Sequence, residues 1–190
     1  MKFKIPAIVA LAVLAGCAKE SKVTGKLPSE TMPQTVSLDS VKSVANQTKM
    51  LLVSNLTKKI SDSGTVAAME FCSTEAIPLT KSAEEKFGLE IKRVSERNRN
   101  PDNTASAEEM QIIEQYKKQL LENKELEGKV HGDYFYSPLV TNRMCLQCHG
   151  DVRKDLKPEV AHKLTKLYPD DKATGYKENE LRGLLRVKMR

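Results

Sequence analysis

Cys145-Leu146-Gln147-Cys148-His149 constrains this 190-residue chain more than any other stretch, because few chemistries use two thiols three positions apart with a histidine directly after them. Each thiol can add across one vinyl group of a single haem, and the adjacent histidine then lies under the iron as an axial ligand. The pattern therefore reads as a c-type haem attachment site. Three other chemistries compete for it: half of a zinc site, a thioredoxin-like dithiol, and a disulfide beside a surface histidine. A closed zinc site takes four ligands, usually from a second paired motif, and no second pair occurs. A thioredoxin-like dithiol has a strand before it and a helix opening at it, whereas the segment from Tyr136 to Arg143, with Pro138 and Asn142, reads as a loop.

The start of the chain points to the same oxidising compartment that covalent haem requires. Met1 to Gly16 joins a short basic start, Lys2 and Lys4, to an apolar run from Ile5 to Leu14 that is too short for a permanent bilayer span. It reads as a cleaved export signal. Leu14-Ala15-Gly16-Cys17 resembles the bacterial lipobox, which implies that Cys17 is lipidated and opens the mature chain. By the same resemblance, Ala18 in place of a retaining aspartate favours the outer membrane, with the protein facing the periplasm. Residues 17–36 are polar, carry Gly25, Pro28 and Pro33, and read as a tether from that anchor. Loss of Lys2 and Lys4 with the signal lowers the formal charge from +6 to +4. No long basic run remains, which excludes nucleic acid as the partner. No second apolar segment follows, so neither a transmembrane helix nor a membrane-embedded output module is expected.

Residues 37–190 are expected to form one domain. Leu38, Val41, Ala45, Leu52, Leu56 and Ile60 recur at helical spacing, and Gly64 ends that first helix. A short second helix is expected from Thr65 to Ser73. Leu89 to Ser95 alternates as a half-buried strand, and the arginine-bearing run from Arg97 to Asn103 reads as a turn-rich loop. Ser106 with Glu109 makes a capping box that opens a helix to about Asn123. Gly128 and Gly132 bracket a strand start, His131 to Tyr136 continues it, Pro158 opens a helix to Leu167, and Leu184 to Met189 reads as a closing strand after a turn-rich stretch from Tyr168.

Of four cysteines, one is assigned to lipid and two to haem, which leaves Cys72 without a disulfide partner in an oxidising compartment. It is either a buried small hydrophobe or a thiolate on the sixth position of the iron. Met69, one turn earlier, and His131 are the other candidate ligands, with His131 better read as a surface residue at a strand end. His162 sits among charged neighbours on a solvated helix face. Arg97, Arg99, Arg182 and Tyr176 could contact the haem propionates, since arginine forks suit carboxylates.

Phe71-Cys72-Ser73, Arg93-Val94-Ser95, Arg99-Asn100-Pro101-Asp102-Asn103, the haem motif with Gly150, Tyr168-Pro169-Asp170, Gly175-Tyr176 and Arg182-Gly183 occur in one order along nearly the whole mature chain. In this the chain resembles the bacterial c-type haem family with a PAS-like sensor fold, formerly a domain of unknown function. The resemblance implies an α+β fold, a PAS-like antiparallel sheet flanked by helices, with one haem bound covalently through Cys145 and Cys148 and His149 on the iron. In members of that family a cysteine from the early short helix can supply the other axial ligand, and Cys72 matches its position. Asn179 stands where members often carry glycine, a substitution asparagine tolerates because it enters left-handed conformations readily. Members fused to kinases or cyclases have an evident output, whereas this chain ends after the sheet. The function expected is a redox or gas-ligand sensor in the envelope that changes contacts with a separate protein partner. The alternative is a monohaem electron carrier. Catalysis is not expected, because no acid and base pair accompanies the motif.

Overall fold

The computed structural model describes residues 36–189. The export signal, Cys17 and the tether up to residue 35 lie outside the described residues. Among those described, no helix is long and apolar enough to cross a membrane.

Four strands, β1 (Ile91–Val94), β2 (Lys129–His131), β3 (Tyr134–Val140) and β4 (Leu181–Lys188), form one antiparallel sheet in the order β1-β4-β3-β2. Helix α1 (Leu38–Phe87) covers one face and α2 (Ala107–Leu121) the other, which is the α+β fold class expected. The strand alternation assigns the faces. Ile91, Phe135, Leu185 and Val187 pack with Val41, Val44, Ala45 and Ala83 of α1. Val94, Tyr136 and Leu184 pack with Ile112, Ile113 and Tyr116 of α2. Full burial of each such aliphatic side chain contributes about 1.5–3 kcal/mol, so the central strand β4 is the most heavily stabilised. Two short helices, α3 (Arg143–His149) and α4 (Pro158–Leu167), occupy the connection between β3 and β4 at one end of the sheet. A single 3-10 turn, Pro101–Asn103, lies in the connection from β1 to α2.

Helix signals held where local chemistry decides. Ser37 caps α1, its hydroxyl accepting from the Ser40 amide, and Ser106 and Glu109 close a reciprocal capping box on α2. Gly64 breaks α1 as expected, with φ 81 and ψ 171, into segments 38–63 and 65–87. The second segment does not stop at Ser73. It runs through Pro78 to Phe87 and ends at Gly88, which adopts the left-handed conformation (φ 65). Packing explains the extension: Thr80 and Ala83 are buried, Ala83 against the sheet, and that burial outweighs the donor lost at Pro78.

Tyr136 to Arg143 is likewise not a loop. Residues up to Val140 pair with β4, and Pro138 is accommodated because it lies beyond the end of β2, where β3 has a neighbour on one side only. β4 begins at Leu181, three residues before the expected start, because a bulge hides its alternation. Leu139 faces Gly183 and Val140 faces Leu181, so Arg182 is the extra residue. A Cβ on Gly183 would stand 2.5 Å from the Val94 carbonyl oxygen, so no side chain fits between β4 and β1 there. Gly183→Ala should therefore cost about 1–3 kcal/mol, seen as a lower urea midpoint at unchanged m-value.

Candidate functional site

The haem motif forms α3, a helix of seven residues whose N-cap is Asn142. The Asn142 side-chain oxygen accepts from the Cys145 amide (3.2 Å) and the Cys145 thiol (3.3 Å). With about 100° per residue, Cys148, Cys145 and His149 fall within an arc of about 100°, so both thiols and the imidazole share one side of the helix. Thr141, just before the cap, is 1% exposed. Its hydroxyl donates to the Lys177 carbonyl (2.6 Å) and accepts from the Glu180 amide (3.0 Å), which closes the long excursion from β3 to β4. At the other end of α3 a Cβ on Gly150 would lie 2.5 Å from an Asp155 carboxylate oxygen and 2.7 Å from the Leu146 carbonyl oxygen. Only glycine fits this exit.

His149 is held by the segment that follows α4. Its Nδ1 lies 2.7 Å from the Ala173 carbonyl oxygen, its own carbonyl accepts from the Tyr176 amide (2.9 Å), and Gly150 accepts from the Gly175 amide (2.8 Å). The Tyr176 ring stands edge-on to the imidazole at 6.3 Å and 87°. Burial first, then the charges of Arg99 and Arg182, push the His149 pKa well below its usual value. The ring is therefore neutral, with the proton on Nδ1 and the lone pair on Nε2. A ligating histidine is fixed by the same second-shell bond.

Arginines surround this imidazole. Arg99 donates through Nε and Nη2 to both oxygens of Asp171 (3.1 Å each) and through Nη2 to the Cys148 carbonyl (2.6 Å). The pair is partly buried, with side-chain exposures of 13% and 7%. Arg182, the bulge residue, donates through Nη1 to Ser95 Oγ (2.8 Å) and the Arg97 carbonyl (3.0 Å), while its Nε is buried with no partner among the described residues. Arg97 lies over the Tyr176 ring at 4.0 Å and Arg182 at 5.4 Å. Arg93 donates to the Ala76 carbonyl (3.3 Å). The arginines at 97, 99 and 182 and Tyr176 thus converge on His149, with Asp171 engaged by Arg99.

Cys72 is half-buried on segment 65–87 of α1. Burial pushes its thiol pKa up, opposed by the charges of Arg93 and Arg99, and it is near enough to Cys148 and Tyr168 for their charges to interact. The fold thus brings Cys72 to the α3 side of the molecule. Met69 is 2% exposed and packs with Leu156, Val160 and Leu164, with Cys148 and Tyr168 at the margin of that cluster. This is a core position. His131 is exposed and pairs with Tyr134, at the opposite end of β3 from the motif and about 20 Å away at the usual rise per strand residue. It cannot share a site with His149. His162 is exposed on α4, as expected.

Strand β3 followed by α3 is the local order that a dithiol oxidoreductase also uses, so the absence of a preceding strand no longer separates the two chemistries. The histidine directly after the second thiol does, because its Nε2 is left free on the side of α3 that carries both thiols; burial drives the Cys148 pKa up to about 11. Among the described residues, no three histidine, cysteine or carboxylate side chains cluster as a metal site. The donor set fits haem on an observation of its own: the unpartnered Arg182 Nε, near the imidazole with Arg97 and Tyr176, leaves a buried donor for an anionic substituent.

Comparison with family models matches residues 26–190 to the family described as Tll0287-like. The chain belongs to the Tll0287-like family. Among solved structures it is similar to the cyanobacterial haem protein Tll0287, with 20% identity, a TM-score of 0.58, and 80% of this chain and 92% of that one covered. The likeness shows a shared fold. A comparison with curated proteins returned no match. Of the site of this Tll0287-like chain, sequence reasoning missed Thr141, Asp171 and Ala173. Asn142 before the motif was a legible cap signal, whereas a carbonyl such as that of Ala173 leaves no trace in residue identity. Asp171→Asn, which strands a buried guanidinium, should destabilise the protein by about 3–5 kcal/mol. Adding Arg99→Met should recover part of that loss in urea denaturation.

Proposed function

We propose that this protein binds one haem covalently through thioethers at Cys145 and Cys148, with His149 and Cys72 as axial ligands, and acts as a redox or gas-ligand sensor. It would work on the periplasmic side of the envelope, anchored through lipid on Cys17, and signal to a separate protein partner rather than catalyse a reaction. One observation carries the haem reading: the 2.7 Å contact between His149 Nδ1 and the Ala173 carbonyl, which leaves Nε2 free on the same side of α3 as both thiols. When bound, haem supplies a redox-active iron that takes two axial ligands. Arg97, Arg182 and Tyr176 are placed to hold its propionates, and Arg99 to hold α3 against the 168–176 segment.

The sensor reading is supported by where Cys72 sits. It lies on the half of α1 beyond the Gly64 break, and that half meets the site through Thr65 to Gln147 (2.9 Å) and an ion pair between Glu70 and Lys163 of α4. A change in what Cys72 binds is therefore felt by one helical segment with its own contacts to α3 and α4. The alternative reading is a monohaem electron carrier, which would keep the same two axial ligands on the iron in both redox states.

Electron paramagnetic resonance and optical spectra of the periplasmically expressed protein separate these readings. A low-spin ferric signal of thiolate type that disappears in Cys72→Ala, together with its loss on reduction, is the expected result. Signals that survive both reduction and Cys72→Ala would transfer the assignment to an electron carrier. Cys145→Ala/Cys148→Ala should lose all haem that resists acid-acetone extraction.

A further inference from the structure

A groove of about 560 Å³ lies on the α1 face of the sheet, between the first half of α1, the 124–128 segment and β3, and it shares no residue with the haem site. Lys42, Asn46 and Lys49 line it at positions i, i+4 and i+7, which places them on one stripe of α1. Across from them, Leu126 and Pro138 supply an apolar wall over the buried ring of Phe135. The volume is within the range that takes a small organic ligand.

The chemistry of Lys49 selects the ligand. The side chain is half-buried, and its ammonium donates to Ser137 Oγ (2.8 Å) on a residue that is 5% exposed. Burial lowers its pKa. A cation drawn partly out of water beside a neutral hydroxyl carries a desolvation cost, which a bound anion would offset. Lys42, Lys49 and Lys124 against Glu125 and Glu127 leave the lining with an excess of one positive charge, which matches a single negative charge. We propose that this groove binds a small monocarboxylate with an apolar body, its carboxylate on Lys49 and Ser137 and its body along Leu126 and Pro138.

Sodium octanoate is the probe, titrated into the full-length haem-loaded protein labelled with nitrogen-15, beside octan-1-ol and inorganic phosphate. Octanoate should give saturable shifts in amides of 42–49, 124–128 and 135–140. Lys49→Met should bind at least about tenfold more weakly, or 1.4 kcal/mol, with a thermal midpoint no lower than that of the unsubstituted protein. Lys49→Arg, which keeps the charge, should bind octanoate more tightly than Lys49→Met does. If Lys49→Met does not fold, Lys49→Gln takes its place with the same expected loss. The proposal is overturned if octanoate leaves the groove amides unmoved, if the charge-removing variant binds it as well as the unsubstituted protein, or if octan-1-ol or phosphate binds as tightly.

Discussion

The guanidinium of Arg99 is the contact on which the site depends. Three things that would otherwise be independent meet on it: the carboxylate of Asp171, the last turn of α3 through the Cys148 carbonyl, and the stretch that ends at Ala173. Asp171 in turn accepts from the Ala173 amide at 2.9 Å. The carbonyl that orients His149 is thus placed by a residue whose own amide is held by the partner of Arg99. A cation beside the final carbonyl of a helix is favourable in its own right, and in a partly buried setting a planar fork that reaches several acceptors is something lysine could not supply. The imidazole is therefore oriented by the β1–α2 connection, far from it in sequence.

The sheet explains why the site is at this end. β1 leads into the segment carrying Arg97 and Arg99, β3 leads into Asn142 and α3, and β4 carries Arg182 as its second residue, so three strands deliver their site residues to one end of the sheet. The bulge matters here. Without the extra residue at 182, the alternation of β4 would not permit both the buried run from Leu184 to Val187 and the present placement of the Arg182 guanidinium between Ser95 and Tyr176. The close approach of Gly183 to Val94 follows from the same irregularity, so the backbone demand and the side-chain placement have one cause.

What could be read in the sequence was what local chemistry determines. The capping box at Ser106, the break at Gly64 and the opening of α4 at Pro158 each follow from a hydrogen bond or dihedral preference within a few residues. Asn179 in the left-handed conformation, at φ 63, belongs with them. What stayed hidden was set from a distance. Pro138 suggests a loop until β2 is known to end before it, and Pro78 suggests a helix end until Ala83 is known to pack on the sheet. At the site, Cys145, Cys148 and His149 stood out in the sequence as a motif by type and spacing. The two arginine roles did not, because the Arg99 partner lies 72 residues away and the donor left over on Arg182 exists only in the folded chain.

The fold also arranges its two candidate binding regions along the same elements. Ser137, which holds Lys49, and Asn142, which caps α3, are five residues apart, about 17 Å at the rise of a strand, with Val140 the last residue of β3 between them. A paired strand pinned at Thr141 is a poor moving part. The Gly64 break is a better one, because Lys49 lies in the half of α1 before it and Cys72 in the half after it. Coupling between sites requires an element with two arrangements that both sites bias. Gly64 has open space where its Cβ would be and a backbone conformation that other residues resist, so glycine there is required by the dihedral angles and not by crowding. If the groove and the haem end communicate, the angle between the two halves of α1 is the degree of freedom that this structure provides for it.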